Sequence, residues 1–139
     1  MNADSQTLAR YWLTKAGNDL KIGRDEMQTP QPATDMVCFH MQQCVEKCLK
    51  AYLTLHRRPF RRTHDIAELI EQCKDIDPEF DALYRLQADQ LTIHGVEARY
   101  PDNFYQPTRE EAAACVGIAL SARQFLLDKL KQAGLEIAG

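Results

Sequence analysis

Hydrophobic residues recur at steps of three and four along most of the chain, the spacing that places them on one face of an α-helix. The longest such run is residues 36–56, MVCFHMQQCVEKCLKAYLTLH, which contains neither glycine nor proline. Polar residues flank its apolar stripe, among them Gln42, Glu46, Lys47 and Lys50. A helix with so wide an apolar face needs partners in water, so we expect the other segments to pack around it.

The same periodicity predicts four further helices, over about residues 5–28, 64–74, 78–91 and 108–132. The connection between the first helix and the central helix is short and contains two prolines, which favours an antiparallel pair. Gly23 lies on the apolar stripe of the first helix and indicates a close helix approach. Thr63 is a predicted N-cap, Thr108 with Glu111 is a predicted capping box, and Gly134 is predicted to end the last helix.

Residues 92–106 interrupt the helical pattern with glycine, proline and turn-forming residues, yet they carry several aromatic side chains. We expect an ordered loop that packs against the helices, and long ordered loops are often functional. No segment shows the alternation typical of a β-strand. The sequence therefore predicts one all-α domain over residues 1–139, an up-and-down helical bundle of four to five helices with an ordered core over about residues 5–133.

The composition restricts the class of protein but does not identify a function. The formal net charge is −3, so the chain as a whole has no bulk attraction for nucleic acid or acidic membrane, although the segment RRPFRR at 57–62 concentrates positive charge. No secretory leader and no stretch of about 20 apolar residues is visible, which predicts a cytoplasmic protein without membrane association. In that setting the five cysteines are predicted to be free thiols.

The central segment FHMQQCVEKCLKAYL resembles the pattern aromatic-x-x-Gln-Gln-x-x-Glu-Lys-x-x-Lys-Ala of HEPN domains (higher eukaryote and prokaryote nucleotide-binding). Further landmarks of that family are Trp12, Ala16, Asp19, Leu20, His64-Asp65-Ile66, Leu69 and Ala98-Arg99-Tyr100-Pro101-Asp102. The resemblance implies a HEPN-like bundle, usually a homodimer and often encoded beside a minimal nucleotidyltransferase. Some members of the family are ribonucleases of toxin–antitoxin or defence systems, and others only bind.

The arginine and histidine spacing of HEPN ribonucleases is found at a different place in this sequence. HEPN ribonucleases carry an arginine, four to six residues and then a histidine near the late helix, and the last predicted helix of this chain contains no histidine. The spacing is met instead from Arg57 or Arg58 to His64, so His64 and Arg58 are the candidate catalytic residues. The histidine would act as a base and the arginine would stabilise phosphorane charge. The alternative is that His64 packs at a helix start while the arginines are solvated.

A site for a nucleotide or RNA phosphate is predicted where the arginine-rich segment meets the third helix, since N–H groups at a helix start favour an anion. The candidate ligand-binding residues are Arg61, Arg62, His64, Asp65, Arg99, Tyr100 and Asp102. In the late loop, Arg99 would grip a phosphate while Tyr100 stacks on a base, or Arg99 would pair with Asp102 or Asp65 and anchor the loop.

No cofactor and no metal site is predicted. His40, Cys44 and Cys48 share one helical face, but over two turns they span about 12 Å, which is too far for one zinc ion with bonds of about 2.0–2.3 Å.

Three functions remain open at this stage. They are a nucleotide- or RNA-binding module that partners a nucleotidyltransferase, a metal-independent endoribonuclease of a toxin–antitoxin or defence system, and a purely structural dimeric bundle. A homodimer is predicted from apolar residues that lie off the main stripes: Leu13, Phe39, Leu49 and Leu53.

Overall fold

The computed structural model describes residues 3–95 and 106–137, and within these residues the chain forms helices and no strand. The α-helices are α1 (Ala3–Met27), α2 (Thr34–Leu55), α3 (Ile66–Lys74), α4 (Ala82–Arg85) and α5 (Arg109–Gln132). Two 3₁₀ helices, Pro78–Asp81 and Ala88–His94, lie on either side of α4. The all-α helical bundle predicted from the hydrophobic spacing is confirmed.

The centre of the bundle is α2, as its continuous apolar stripe predicts. The helices α1, α3 and α5 all pack against it. Three pairs of contacting residues, with the α1 residue first, are Gly23–Met41, Asp19–Lys47 and Trp12–Lys50. Because residue numbers fall along α1 as they rise along α2, the two helices are antiparallel.

The helix α5 runs in the same direction as α2. At one end the Thr34 hydroxyl donates a hydrogen bond of 2.6 Å to the carbonyl of Pro107, immediately before α5. Farther along, Cys38 lies close to Cys115. Residue numbers therefore rise together along the two helices, and the short helices between α2 and α5 return the chain.

Three local predictions are confirmed. A Cβ atom placed on Gly23 would overlap Cε at the flexible end of Met41 and would lie 3.6 Å from the backbone carbonyl oxygen of Val37, so α1 does approach α2 closely at this glycine. Thr108 and Glu111 form both bonds of a capping box, each 3.0 Å long. Gly134 follows α5 with φ +97°, the left-handed conformation in which glycine ends a helix without strain.

The segment predicted as one helix over 78–91 is instead divided. Asp77 does cap its start, with a hydrogen bond of 2.9 Å from the backbone N–H of Glu79. However, Gln87 adopts a left-handed φ of 65° and separates α4 from the second 3₁₀ helix. Such short segments have little intrinsic helical stability, so tertiary packing decides their shape. Here Phe80, Leu83 and Leu91 are all buried.

Leu49 and Leu53, two of the residues from which a dimer is predicted, do not form a surface for a partner. Both side chains are fully buried within the chain, so neither offers a surface to a partner. They lie off the main stripe of α2 because this central helix is covered on more than one side. The dimer itself stays a prediction and needs a different surface.

Two further observations concern the thiols and the surface. All five cysteines are free and buried, which confirms the prediction of unpaired thiols. Over residues 3–95 and 106–137, none of the helices combines the length and the apolar character that crossing a membrane requires.

Candidate functional site

The polar centre of the molecule is Glu46, whose side chain is only 4% exposed. One carboxylate oxygen, Oε2, accepts a hydrogen bond of 2.8 Å from Nζ of Lys50. The other, Oε1, lies 3.0 Å from Nε2 of Gln42 and 3.0 Å from Nδ1 of His64. The Gln42 amide also donates to the backbone carbonyl of His64. A single buried carboxylate therefore connects the polar residues of α2 to the start of α3.

The hydrogen-bond partners of Glu46 favour the ionised form of its carboxylate. Burial alone would raise the pKa of Glu46, but hydrogen bonds from Lys50, Gln42 and His64 more than offset burial and hold the pKa below its ordinary value. An ionised carboxylate only accepts hydrogen bonds, so Nδ1 of His64 must donate to it. In neutral His64 the remaining nitrogen, Nε2, is then a proton acceptor on a side chain that is 52% exposed.

A second contact fixes the segment before His64. Phe60 packs edge-to-face on Trp12 of α1, with ring centroids 6.2 Å apart. Nζ of Lys50 lies 5.5 Å from the Trp12 centroid and 5.6 Å from that of Phe60. Lys50 thus supports both rings while it neutralises Glu46. We call residues 57–65 the arginine loop, and its contacts at Phe60 and His64 attach it to α1 and α2.

Between and beside these two attachments, all four arginines are exposed: Arg57, Arg58, Arg61 and Arg62. Arg61 forms an ion pair of 3.4 Å with Glu68, but its side chain remains 82% exposed. The loop therefore presents an ordered group of cations to solvent in a chain whose net charge is −3. The predicted concentration of positive charge is a surface feature of the structure.

Arg57 has an unusual backbone. It follows the end of α2 with φ 58°, and the backbone N–H groups of Arg57 and Arg58 donate to the carbonyls of Thr54 and Leu53. This is a Schellman helix end, in which glycine is the favoured residue at the left-handed position. The end of α5 has the same motif with glycine in place, at Gly134. At the end of α2 an arginine instead occupies the strained position and adds to the exposed positive group.

The start of the third helix, where the anion site is predicted, differs from the expected helix start and N-cap. The helix begins at Ile66 rather than His64, and Asp65 rather than Thr63 is its N-cap. The Asp65 carboxylate accepts from the N–H of Ala67 at 3.0 Å, and Thr92 Oγ1 accepts from the N–H of Ile66 at 3.1 Å. These groups are already satisfied, and a carboxylate stands where the phosphate was expected. The N–H groups of Ile66 and Ala67 therefore have partners within the protein, whereas the arginine side chains of the loop remain exposed.

The other sequence-predicted site residues divide into two groups. Arg58, Arg61, Arg62, His64 and Asp65 all lie together on the arginine loop. The remaining candidates lie outside the described residues: Arg99, Tyr100 and Asp102.

A second polar group occupies the interface of α1 and α2. Asp19 accepts from Nζ of Lys47 at 2.7 Å and lies 2.8 Å from Nδ1 of His40. His40, which the sequence analysis considered with Cys44 and Cys48 as a metal ligand, is thus engaged by a carboxylate from another helix. These two contacts with Asp19 make Lys47 and His40 links between α1 and α2.

Sequence reasoning missed a groove between α1 and α5. A cavity of about 680 Å³ is lined by Arg10, Leu13, Thr14, Gly17, Arg123, Glu136 and Ile137. Gly17 and Arg123 also line a neighbouring cavity of about 430 Å³ that includes Lys21 and Arg24. The Nε atom of Arg123 is buried without a hydrogen-bond partner. Folding brings Arg123 of α5 beside the cations of α1, which are distant from it in the sequence.

Comparisons with known proteins place this architecture in a family. The sequence model of the HEPN domain matches residues 9–130, which is most of the chain. This chain belongs to the HEPN domain family. The resemblance inferred from the central helix is therefore confirmed.

Two individual proteins extend the comparison. The chain is 28% identical over 138 residues to "Putative toxin MJ1304" of Methanocaldococcus jannaschii, covering 89% of each protein. The crystal structure of ST0689, an archaeal HEPN homologue, superposes with a TM-score of 0.65. That pair is 24% identical and covers 88% of this chain and 97% of the homologue, which supports the fold.

Proposed function

We propose that this chain is the toxin-type HEPN component of a two-protein system and that it binds RNA through the arginine loop. The observation that carries the proposal is the placement of four exposed arginines on a loop fixed at Phe60 and His64. Similarity to a protein named as a toxin supports the biological class. The second protein of the system would be a minimal nucleotidyltransferase, as in many members of this family.

The physical basis is recognition of phosphate by pre-positioned cations. Guanidinium groups bind phosphate oxygens in a bidentate manner and are never deprotonated near neutral pH. A flexible loop would lose conformational entropy on binding, whereas the contacts of Phe60 and His64 restrict the loop in the free protein. Because the rest of the surface is on balance acidic, binding should depend on this loop and should weaken as salt rises.

The direct test is the affinity for a fluorescent single-stranded RNA as a function of salt concentration. Replacing Arg61 and Arg62 together with glutamine should weaken binding at low salt and lower the salt slope by about 1.4, which is about 0.7 for each phosphate contact on a single strand. Arg85→Gln is the matched control, because Arg85 is also exposed and also pairs with one carboxylate, Asp81, at 3.5 Å. That control should bind RNA as the parent protein does.

The α1–α5 groove is the competing location for the anion. Arg123→Gln removes the cation shared by its two cavities and leaves the arginine loop intact. Loss of RNA binding in Arg123→Gln, with full binding in the Arg61/Arg62 double variant, would overturn the proposed site. Absence of binding at low salt would overturn the proposed function itself.

A second candidate function, metal-independent RNA cleavage, is favoured by the geometry of His64. A buried carboxylate orients the imidazole and leaves Nε2 as the proton acceptor of a half-exposed side chain, on the same loop as four exposed arginines, which is how a general base is held. His64→Asn retains an N–H group toward Glu46 but removes the proton acceptor. RNA turnover in the presence of a chelator that is lost in His64→Asn, with RNA binding retained, would establish this activity. Turnover that persists in that variant would exclude His64 as the base.

The partnership is tested by co-expression with a nucleotidyltransferase encoded beside this chain. A stable complex in size-exclusion chromatography, together with relief of growth inhibition caused by this chain alone, is the expected result. Separate elution of the two proteins and unchanged growth inhibition would contradict the proposed pairing.

A further inference from the structure

A group of three metal-type ligands lies at the end of the bundle where α2 begins. Sγ of Cys38, Sγ of Cys115 and a ring nitrogen of His94 lie within 4.8 Å of one another. They come from three different elements: α2, the second 3₁₀ helix and α5. Cys38 is fully buried, Cys115 is 7% exposed and His94 is partly buried.

We propose that Cys38, His94 and Cys115 form a binding site for a zinc ion that fastens α2, the second 3₁₀ helix and α5 together. This proposal is independent of RNA binding, and it departs from the expectation, drawn from the sequence, that no metal is bound. The histidine and cysteine residues that share a helical face in the sequence, His40, Cys44 and Cys48, all lie on α2. The group described here brings together residues that are distant in the chain.

The three donor atoms fit one zinc ion after they move slightly closer together. A tetrahedral zinc ion with Zn–S bonds of about 2.3 Å places two sulfur ligands roughly 3.8 Å apart. The three donor atoms are already within 4.8 Å. The side chains therefore need to move by about 1 Å or less to share an ion. Three protein ligands leave the fourth tetrahedral position for a water molecule.

The chemistry of the ligands selects the metal. Thiolate and imidazole donors favour zinc and other transition metals over magnesium or calcium, which prefer oxygen. Two thiolates balance the charge of a divalent ion, so a neutral group is buried rather than an isolated charge.

Cobalt is the probe for this site, because Co²⁺ adopts the tetrahedral geometry of zinc and is coloured. Adding Co²⁺ to the reduced, metal-free protein should produce a thiolate-to-cobalt charge-transfer band and intense tetrahedral d–d bands. Zn²⁺ should then displace it with loss of both signals. At about 100-fold excess over its dissociation constant, Zn²⁺ should raise the Tm by roughly 5–10 °C. Absence of the charge-transfer band, or an unchanged Tm in excess Zn²⁺, would overturn the proposal.

Two ligand variants and one control locate the ion. Cys115→Ser and His94→Asn should each weaken zinc binding by about 100-fold or more, since even residues that only orient metal ligands contribute about 10–100-fold. Cys73→Ser is the control, because Cys73 is fully buried but lies outside the group. It should bind zinc normally. His94 is only partly buried, so His94→Asn provides a folded test if Cys115→Ser disrupts the core. Equal zinc affinity in His94→Asn, Cys73→Ser and the parent protein would contradict the assignment.

Discussion

Nδ1 of His64 lies 3.0 Å from Oε1 of Glu46, and this pair joins the arginine loop to the middle of α2. The Glu46 side chain is 4% exposed and the His64 side chain is 52% exposed. One hydrogen bond therefore connects the buried polar centre of the bundle to the surface proposed to bind RNA. A change at Glu46 should alter both the stability of the fold and the position of the loop.

The first prediction is that Glu46→Gln strongly destabilises the fold. Lys50 would remain 9% exposed without its carboxylate partner, and breaking a buried ion pair from one side costs about 3–5 kcal/mol. The measurement is the free energy of unfolding from urea titration. Glu68→Gln is the control, because Glu68 pairs at the surface with the exposed Arg61. The Glu68→Gln substitution should lower the free energy of unfolding by less than about 1 kcal/mol. Equal costs for the two variants would contradict a structural centre at Glu46.

The second prediction concerns the stability of the fold at acidic pH. The folded-state pKa of Glu46 is below its ordinary value of 4.5, so during acidification the unfolded state takes up the proton first. The stability that Glu46 contributes is therefore complete above about pH 5 and is lost as pH falls through the folded-state pKa. We expect the difference in unfolding free energy between the parent protein and Glu46→Gln to shrink from about pH 7 towards about pH 3. Urea titrations across this range measure it. A difference that stays constant with pH would show that Glu46 does not titrate as described.

The third prediction separates charge from stability at Arg57. Its φ of 58° favours glycine, so Arg57→Gly should leave stability unchanged or raise it by up to about 1 kcal/mol. The same variant should weaken RNA binding, since it removes one exposed guanidinium. The opposite change at the other helix end, Gly134→Ala, should destabilise by about 1 kcal/mol because its φ is +97°. Thermal unfolding and RNA titration of both variants provide the measurements. Weaker stability in Arg57→Gly would contradict the strain at this position.

Much of the fold could be predicted because its determinants are local. The apolar stripe of α2 and the Thr108–Glu111 capping box depend on residues a few positions apart, and both are present in the structure. The division of residues 78–91 could not be predicted, because Gln87 gives no sequence signal for its left-handed backbone. Its shape depends on how neighbouring side chains pack against α2 and α3, which no local pattern contains.

The candidate site was predictable in composition but not in geometry. The run of arginines and His64 was visible in the sequence, whereas the role of Glu46 as the shared acceptor required the position of α3 relative to α2. The acceptors of the first N–H groups of α3 could not be predicted in full, because Asp65 is close to Ala67 in the sequence whereas Thr92, which accepts from Ile66, is distant. The group of Cys38, His94 and Cys115 was missed for the same reason, since three separate elements contribute to it.

The last prediction is a homodimer that uses the outer face of α1. Leu8 and Tyr11 lie one turn apart on this helix and are 55% and 57% exposed, an apolar pair of the kind that a partner covers. Light scattering should give twice the chain mass of 15.9 kDa. Replacing Leu8 and Tyr11 together with glutamate should give the monomer mass. In a two-fold symmetric interface both subunits carry the two new negative charges, which then repel each other across the interface. Ile93→Glu is the control at another exposed apolar residue, 50% exposed, and should remain dimeric. A mass of 15.9 kDa at every concentration would contradict the dimer. A dimer that survives the double substitution but not Ile93→Glu would place the interface elsewhere.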